Sequence, residues 1–68
     1  METAKYVLNA RKKLRLRQKD MATLLKVGQV NLCKYEHGDT MPPGDVILRI
    51  AELLAEFDKA RKAYRKSA

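Results

Sequence analysis

Apolar residues recur along the first third of the chain at intervals of three and four positions, the spacing of one face of an α-helix. A first helix is predicted over residues 4–15, and its apolar face consists of Val7, Ala10 and Leu14. A second helix is predicted from Gln18 to Leu25. Its apolar face consists of Met21, Ala22, Leu24 and Leu25. Two short amphipathic helices therefore open the chain.

A tight turn and a third, shorter helix are predicted to follow. Val27 lies in the turn, and we expect its apolar side chain to point inward. Residues 29–35 can form the third helix with Leu32 facing the core, because Leu32 is the apolar residue between polar Asn31 and Lys34. Gly38 suits the left-handed backbone conformation in which many helices end.

A final helix is predicted to begin near Asp45, and no glycine or proline interrupts it as far as about residue 65. Its apolar residues keep the helical spacing, and the main ones are Ile47, Ile50, Leu54, Phe57 and Tyr64. The first half of this helix is enough to close a small core. The second half either packs back along the first helix or pairs with a second copy in a homodimer. In the second case Leu54, Phe57 and Tyr64 would form the dimer or partner interface.

The sequence thus predicts one all-α domain spanning residues 1–68. With 68 residues it buries only about 60% of its unfolded surface, so self-association is a reasonable expectation. Its formal net charge is +7, from 15 Lys and Arg against 8 Asp and Glu. Such a charge favours polyanionic partners, nucleic acid first and an acidic membrane surface second.

Several classes of protein are not supported by the composition. The single cysteine, Cys33, excludes an internal disulfide and fits a reducing compartment, and we expect a cytoplasmic protein. No apolar run reaches the length of a membrane span. One histidine, one cysteine and no carboxylate cluster leave no acid–base or nucleophile pair, so we expect neither an enzyme nor a cofactor or metal site.

A few charged and polar residues carry candidate roles. Glu36 is a carboxylate near a helix C-terminus, where the helix dipole disfavours it, so it needs a cation; Arg11 is the candidate. Arg17 stands where a capping Ser, Thr or Asp is usual before the second helix. Either it points into water, or it holds a DNA phosphate at the helix end together with Gln18. His37 lies near a phosphate or in water.

The exposed side of the third helix combines amide, methyl and ammonium groups, which suit the edges of DNA bases. These groups belong to Gln29, Val30, Asn31 and Lys34. Considered singly, Gln29, Asn31 and Lys34 are ordinary surface residues and Val30 is more typical of a core. Their common position directly after two helices and a tight turn favours DNA recognition.

The full spacing runs Gln18-x-Asp20-Met21-Ala22-x-x-Leu25-x-Val27-x-x-x-x-Leu32-Cys33-x-Tyr35-Glu36-x-Gly38, with Pro42 after it. From about Tyr6 to Leu54 the chain resembles the Cro/CI-like (XRE) helix-turn-helix family, which includes phage repressors, restriction-modification controllers and antitoxin DNA-binding domains. The resemblance implies a four- to five-helix domain with its helix-turn-helix core at residues 17–38 and a long C-terminal helix at about residues 45–65.

The same resemblance implies roles for individual residues. Gln29, Val30 and Lys34 would contact bases in the major groove, with Asn31 close to bases or backbone. Gln18 would bind phosphate at the start of the second helix. His37 and Thr40 would lie against phosphates, and Arg11 and Glu36 would form a structural ion pair.

The chain departs from the family pattern at three positions. Lys26 stands at the usual turn glycine, Gly28 at the usual Ser or Thr cap of the recognition helix, and Arg17 at the usual Thr or Ser before Gln18. The function implied is a sequence-specific regulator of transcription, a repressor that binds double-stranded DNA as a homodimer on a palindromic operator. The alternative is an antitoxin or accessory protein whose C-terminal helix binds a toxin or another protein partner.

Overall fold

Four α-helices joined by short connections make up the part of the chain that the computed structural model describes, which is residues 2–67, with side chains described for residues 2–62. The helices are α1 (Glu2–Leu14), α2 (Gln18–Leu25), α3 (Gln29–His37) and α4 (Gly44–Ser67). No strand occurs in this range. The predicted all-α fold with a long C-terminal helix is confirmed, and α3 continues two residues beyond its predicted end.

The hydrophobic core lies where the four helices meet. It is formed by Val7 and Ala10 of α1, Met21, Ala22 and Leu25 of α2, Leu32 and Tyr35 of α3, and Val46, Ile50 and Leu53 of α4. Val27 packs against this core from the turn between α2 and α3, as its apolar position predicted. Leu24 was expected on the core face but is exposed. Met21, Ala22 and Leu25 define the buried face of α2, and Leu24 falls on its flank.

Helix α4 runs in the same direction as α1 and packs along it. At one end, Glu2, Thr3 and Tyr6 lie around the same depression as Met41, Pro42 and Ile47. At the other end, the Lys13 ammonium contacts the Asp58 carboxylate at 3.3 Å. Thr3 to Lys13 and Ile47 to Asp58 cover similar numbers of residues, so the two helices rise side by side over roughly 16 Å. The expectation that α4 packs back along the first helix therefore describes it as far as Asp58.

The first three helices all end in the same hydrogen-bonded turn. In each, the N–H two residues past the helix donates to a carbonyl five residues back: Leu16 to Arg11, Val27 to Ala22, and Asp39 to Lys34. This Schellman arrangement places the preceding residue in left-handed backbone. Gly38 does so at φ 81°, but Arg15 (φ 57°) and Lys26 (φ 58°) carry side chains.

Replacing Lys26 with glycine should therefore stabilise the fold. Left-handed backbone costs an L-residue roughly 1–2 kcal/mol, and the greater freedom of glycine in the unfolded chain offsets part of this gain. We expect a net increase of about 0.5–1 kcal/mol in the free energy of unfolding, measured by urea denaturation. Lys26→Ala is the matched control, since alanine keeps the Cβ and should gain nothing. Equal stabilities of the two variants would show that Lys26 is not strained.

Candidate nucleic-acid interface

A buried carboxylate ties the ends of α1 and α3 together. The Arg11 guanidinium donates from Nε to Glu36 Oε2 at 2.7 Å and from Nη2 to Oε1 at 3.2 Å. Its Nη1 donates to the Leu16 carbonyl at 3.0 Å. The Glu36 side chain is 3% exposed and the Arg11 side chain 20%. This bidentate geometry is the one that guanidinium and carboxylate groups favour, and it brings the two predicted partners into direct contact.

Gln18 is the third member of this cluster. Its Nε2 donates to Glu36 Oε1 at 3.0 Å, so one carboxylate fixes the end of α1, the start of α2 and the end of α3. The sequence placed Gln18 only as a phosphate contact and missed this bond. Both roles are compatible, because the side-chain amide has a second N–H and the backbone N–H at the start of a helix has no intrahelical partner.

The outer side of α3 is exposed, whereas its inner side is held in the core. Leu32 is fully buried and Tyr35 nearly so. The four side chains placed outward by the sequence, Gln29, Val30, Asn31 and Lys34, are all exposed. Val30, which alone would suit a core, is 69% exposed.

An open depression of about 430 Å³ separates the start of α2 from the outer side of α3. It is lined by Gln18, Gln29, Val30, Cys33 and Lys34. Four of these residues were singled out from the sequence, and Cys33 was not. The sequence spacing could have indicated that Cys33 lies here, because it follows Gln29 by four residues and Val30 by three, which places all three on one helical face.

The ring of His37, at the end of α3, contacts Cys33 one turn earlier in the same helix. His37 Nδ1 lies 2.7 Å from the Cys33 carbonyl oxygen and 3.5 Å from Cys33 Sγ. With the proton on Nδ1 the ring donates to that carbonyl, and Nε2 remains for another partner. Both His37 and Thr40, the second residue assigned to the phosphate loop, are exposed.

The start of α2 lacks a side-chain cap. Arg17 has the extended backbone of an N-cap residue, but no side chain accepts a hydrogen bond from the first turn. Instead Arg17 Nε donates to Asp20 Oδ2 at 3.1 Å, and the arginine side chain is 87% exposed. Such an exposed pair contributes little to stability. The first-turn N–H groups therefore remain open to an anion, with a cation beside them.

These helices reproduce the predicted helix-turn-helix arrangement, and a helix-turn-helix family model matches residues 7–56. The chain belongs to the Cro/CI-type (XRE) helix-turn-helix family. It therefore carries the domain of a DNA-binding transcription regulator. Members of this family are not generally enzymes. No curated protein sequence and no solved structure gives a significant match. Within the described residues, none of the helices has the length and apolarity needed to cross a membrane.

Two departures from the pattern of the XRE family have a structural explanation here. Lys26 adopts the left-handed conformation for which the family uses glycine. Gly28 is the N-cap of α3 with φ −71°, a conformation open to any residue. A Cβ added at Gly28 would meet only the Asn31 side-chain nitrogen, at 3.9 Å, so a serine or threonine would also fit there. Neither departure moves the predicted start of the recognition helix.

Proposed function

We propose that this XRE-family protein is a sequence-specific repressor that acts in the cytoplasm as a homodimer on a roughly palindromic operator. The observation that carries the proposal is the exposed row of Gln29, Val30, Asn31 and Lys34 on a helix whose other side is fixed by Leu32 and by the buried Glu36. A side chain can select a base only when its backbone is held in place, and α3 meets that condition. The free thiol of Cys33 suits a reducing compartment.

Each exposed group on α3 has a complementary base edge in the major groove. The amides of Gln29 and Asn31 suit the N6 and N7 positions of adenine, and the Lys34 ammonium suits the acceptors of guanine. Val30 suits the methyl group of thymine, which accounts for an apolar residue left in water. Contacts of this kind discriminate by about 1–3 kcal/mol each. In the proposed complex, α3 lies in the major groove and α2 crosses the backbone.

Phosphate contacts would fix the domain on the duplex. We assign them to Arg17 and Gln18 at the start of α2 and to His37 and Thr40 after the recognition helix. Support comes from the uncapped first turn of α2, from the exposed Arg17 guanidinium and from the exposed positions of His37 and Thr40. Such contacts give affinity and register but no sequence information.

Replacing Arg17 with threonine separates capping from phosphate binding. Threonine can accept a hydrogen bond from the first turn of α2, so the free protein should gain about 1 kcal/mol of stability. The loss of one phosphate contact should weaken binding to operator and random duplex alike, and should lower the salt dependence of log Kd by about 1. Thermal denaturation and fluorescence anisotropy measure the two effects. A less stable variant with unchanged DNA affinity would contradict the assignment.

The dimer is proposed to form through the distal half of α4. This half begins beside the end of α1 and continues past it. Its Phe57 lies beyond the core, which ends near Leu53, and is only partly buried, so part of its ring is open to a partner. Leu54 packs partly against that core, so it has less area to offer a partner than the sequence suggested. Tyr64, the third residue assigned to the interface, has its side chain outside the described residues.

Light scattering on Phe57→Ser and on the unsubstituted chain tests this dimer. We expect the parent chain to dimerise and the variant to be monomeric at the same concentration, with an unchanged helical circular dichroism spectrum. A dimer that survives the substitution would move the contact elsewhere, for example to the exposed apolar residues Tyr6, Met41 and Leu48.

The alternative function is that of an antitoxin or accessory protein whose α4 binds a toxin or another protein partner. The observation that favours it is Phe57, an aromatic residue that is only partly buried on a helix extending beyond the core, because aromatic residues often anchor interfaces. The light-scattering experiment separates the two uses of α4. A parent chain that is monomeric with and without operator DNA would favour a different protein as the occupant of this helix.

A further inference from the structure

We propose that the buried Glu36 carboxylate positions the side-chain amide of Gln18 against the DNA backbone, and that the positioned amide adds to operator selectivity although it reads no base. Gln18 is the one described residue that both bonds to the buried pair of Arg11 and Glu36 and lines the depression beside α3. This inference rests on the proposed DNA-binding function. It gives a share of the selectivity to a residue that was assigned only a phosphate contact.

The partner of Gln18 determines which way its amide faces. An ionised carboxylate only accepts hydrogen bonds, so the amide turns Nε2 toward Glu36 Oε1, at 3.0 Å, and turns its carbonyl oxygen away. The carboxylate itself is held by two hydrogen bonds from Arg11. The amide therefore has one favoured orientation in the free protein, and its second N–H and its carbonyl oxygen are left for other partners.

The bond from Gln18 to Glu36 is not what holds α2 against α3. Met21 and Leu25 of α2 lie in the same hydrophobic core as Leu32 of α3. The Gln18 side chain is half-buried and outside this core. The bond therefore fixes the amide rather than the helices, and a substitution at Gln18 can remove the fixed amide while the helices stay in place.

A fixed amide at this position favours one register of the domain on DNA. Gln18 begins α2, where a phosphate is proposed to bind, and it lines the same depression as Gln29, Val30 and Lys34. Phosphate contacts carry no sequence information themselves, but they fix the register in which the bases are read. Ordering a mobile side chain on binding costs affinity. This cost arises in the operator complex, which has one register, and less in a nonspecific complex, which has many.

Two neighbouring substitutions separate this role from a phosphate contact alone. Gln18→Met keeps the length of the side chain and removes the donor to Glu36. Arg17→Thr is the control, because Arg17 is also proposed to bind phosphate but pairs with Asp20 rather than with Glu36. Both variants are titrated with operator and with random duplex, and the ratio of the two dissociation constants gives the selectivity. Urea denaturation checks that each variant is folded.

We expect Gln18→Met to lower the selectivity roughly threefold to tenfold, which corresponds to the cost of ordering one side chain on binding. Arg17→Thr should weaken binding to operator and random duplex by the same factor and leave the selectivity unchanged. If Gln18→Met also weakened both equally, the proposal would be overturned and Gln18 would be a phosphate contact only.

A second variant, Gln18→Glu, makes the bond reversible. The neighbouring Glu36 carboxylate raises the pKa of the introduced carboxyl, and while this group is protonated its O–H can donate to Glu36 as the amide does. The selectivity of the variant, relative to the parent chain at the same pH, should therefore rise as the pH falls from about 8 to about 5.5. A relative selectivity that did not change with pH would overturn the proposal. A parent chain without selectivity would overturn the proposed function itself, a result distinct from selectivity lost only on substitution.

Discussion

Replacing Arg11 with methionine should destabilise the domain by about 3–5 kcal/mol, because it leaves the Glu36 carboxylate buried without its cation. Glu36 is only 3% exposed, and after the substitution it keeps one hydrogen bond, from Gln18. Domains of this size have stabilities near the lower end of the usual 5–15 kcal/mol. A large share of the Arg11→Met population should therefore be unfolded at 37 °C, and DNA binding should fall in proportion.

The double variant Arg11→Met/Glu36→Met is the control for this prediction. Replacing both members of a buried ion pair with apolar residues of similar size is often neutral or stabilising. We expect the double variant to recover most of the stability in urea denaturation, with the half-buried amide of Gln18 turning to water. If Arg11→Met cost less than about 1 kcal/mol, the ion pair would not be what holds the ends of α1 and α3 together.

Replacing Val30 with glutamate should abolish operator binding without affecting the fold. Val30 is 69% exposed, so the free domain accepts a charged side chain there at little cost. In the proposed complex the same carboxylate would face the bases and phosphates of the major groove. Juxtaposed like charges cost several kcal/mol, and about 3 kcal/mol corresponds to a loss of more than a hundredfold in affinity.

Leu48→Glu is the matched control for Val30→Glu. Leu48 is 62% exposed on α4, and the substitution changes the net charge equally. It should alter DNA affinity only by the small, general effect of one added negative charge. Val30→Thr, which keeps the shape without the charge, should retain most of the binding. Anisotropy titrations in which Val30→Glu and Leu48→Glu gave the same affinity would exclude α3 from the DNA interface.

The framework of the fold was predictable because its positions are determined by helical periodicity. The apolar residues Leu32 and Val27 were predicted to face the core, and Gly38 was predicted to take the left-handed backbone at the end of the third helix. The structure shows all three features. The Arg11–Glu36 pair was predictable because an isolated carboxylate near a helix C-terminus needs a cation.

Other features depended on contacts between segments, which spacing does not specify. Arg15 in left-handed backbone gives no sequence signal, because the residue usually chosen for that conformation is glycine. The bond from Gln18 to Glu36 required knowing that the start of α2 meets the end of α3. Leu24 obeyed the periodicity of α2 and yet lies exposed, because the buried face is formed by Met21, Ala22 and Leu25, and Leu24 lies to one side of it around the helix.

Selection of bound sequences from a random duplex pool, carried out with the parent chain and with Gln29→Ala, tests the central claim most directly. We expect the parent to enrich one motif with two-fold symmetry and half-sites about one helical turn apart. Gln29→Ala should lose preference at one base pair in each half-site, keep the others, and bind the parent motif about 1–3 kcal/mol more weakly. Failure of the parent chain to enrich any motif, or an identical motif for both proteins, would contradict the account of α3 as the base-contacting helix.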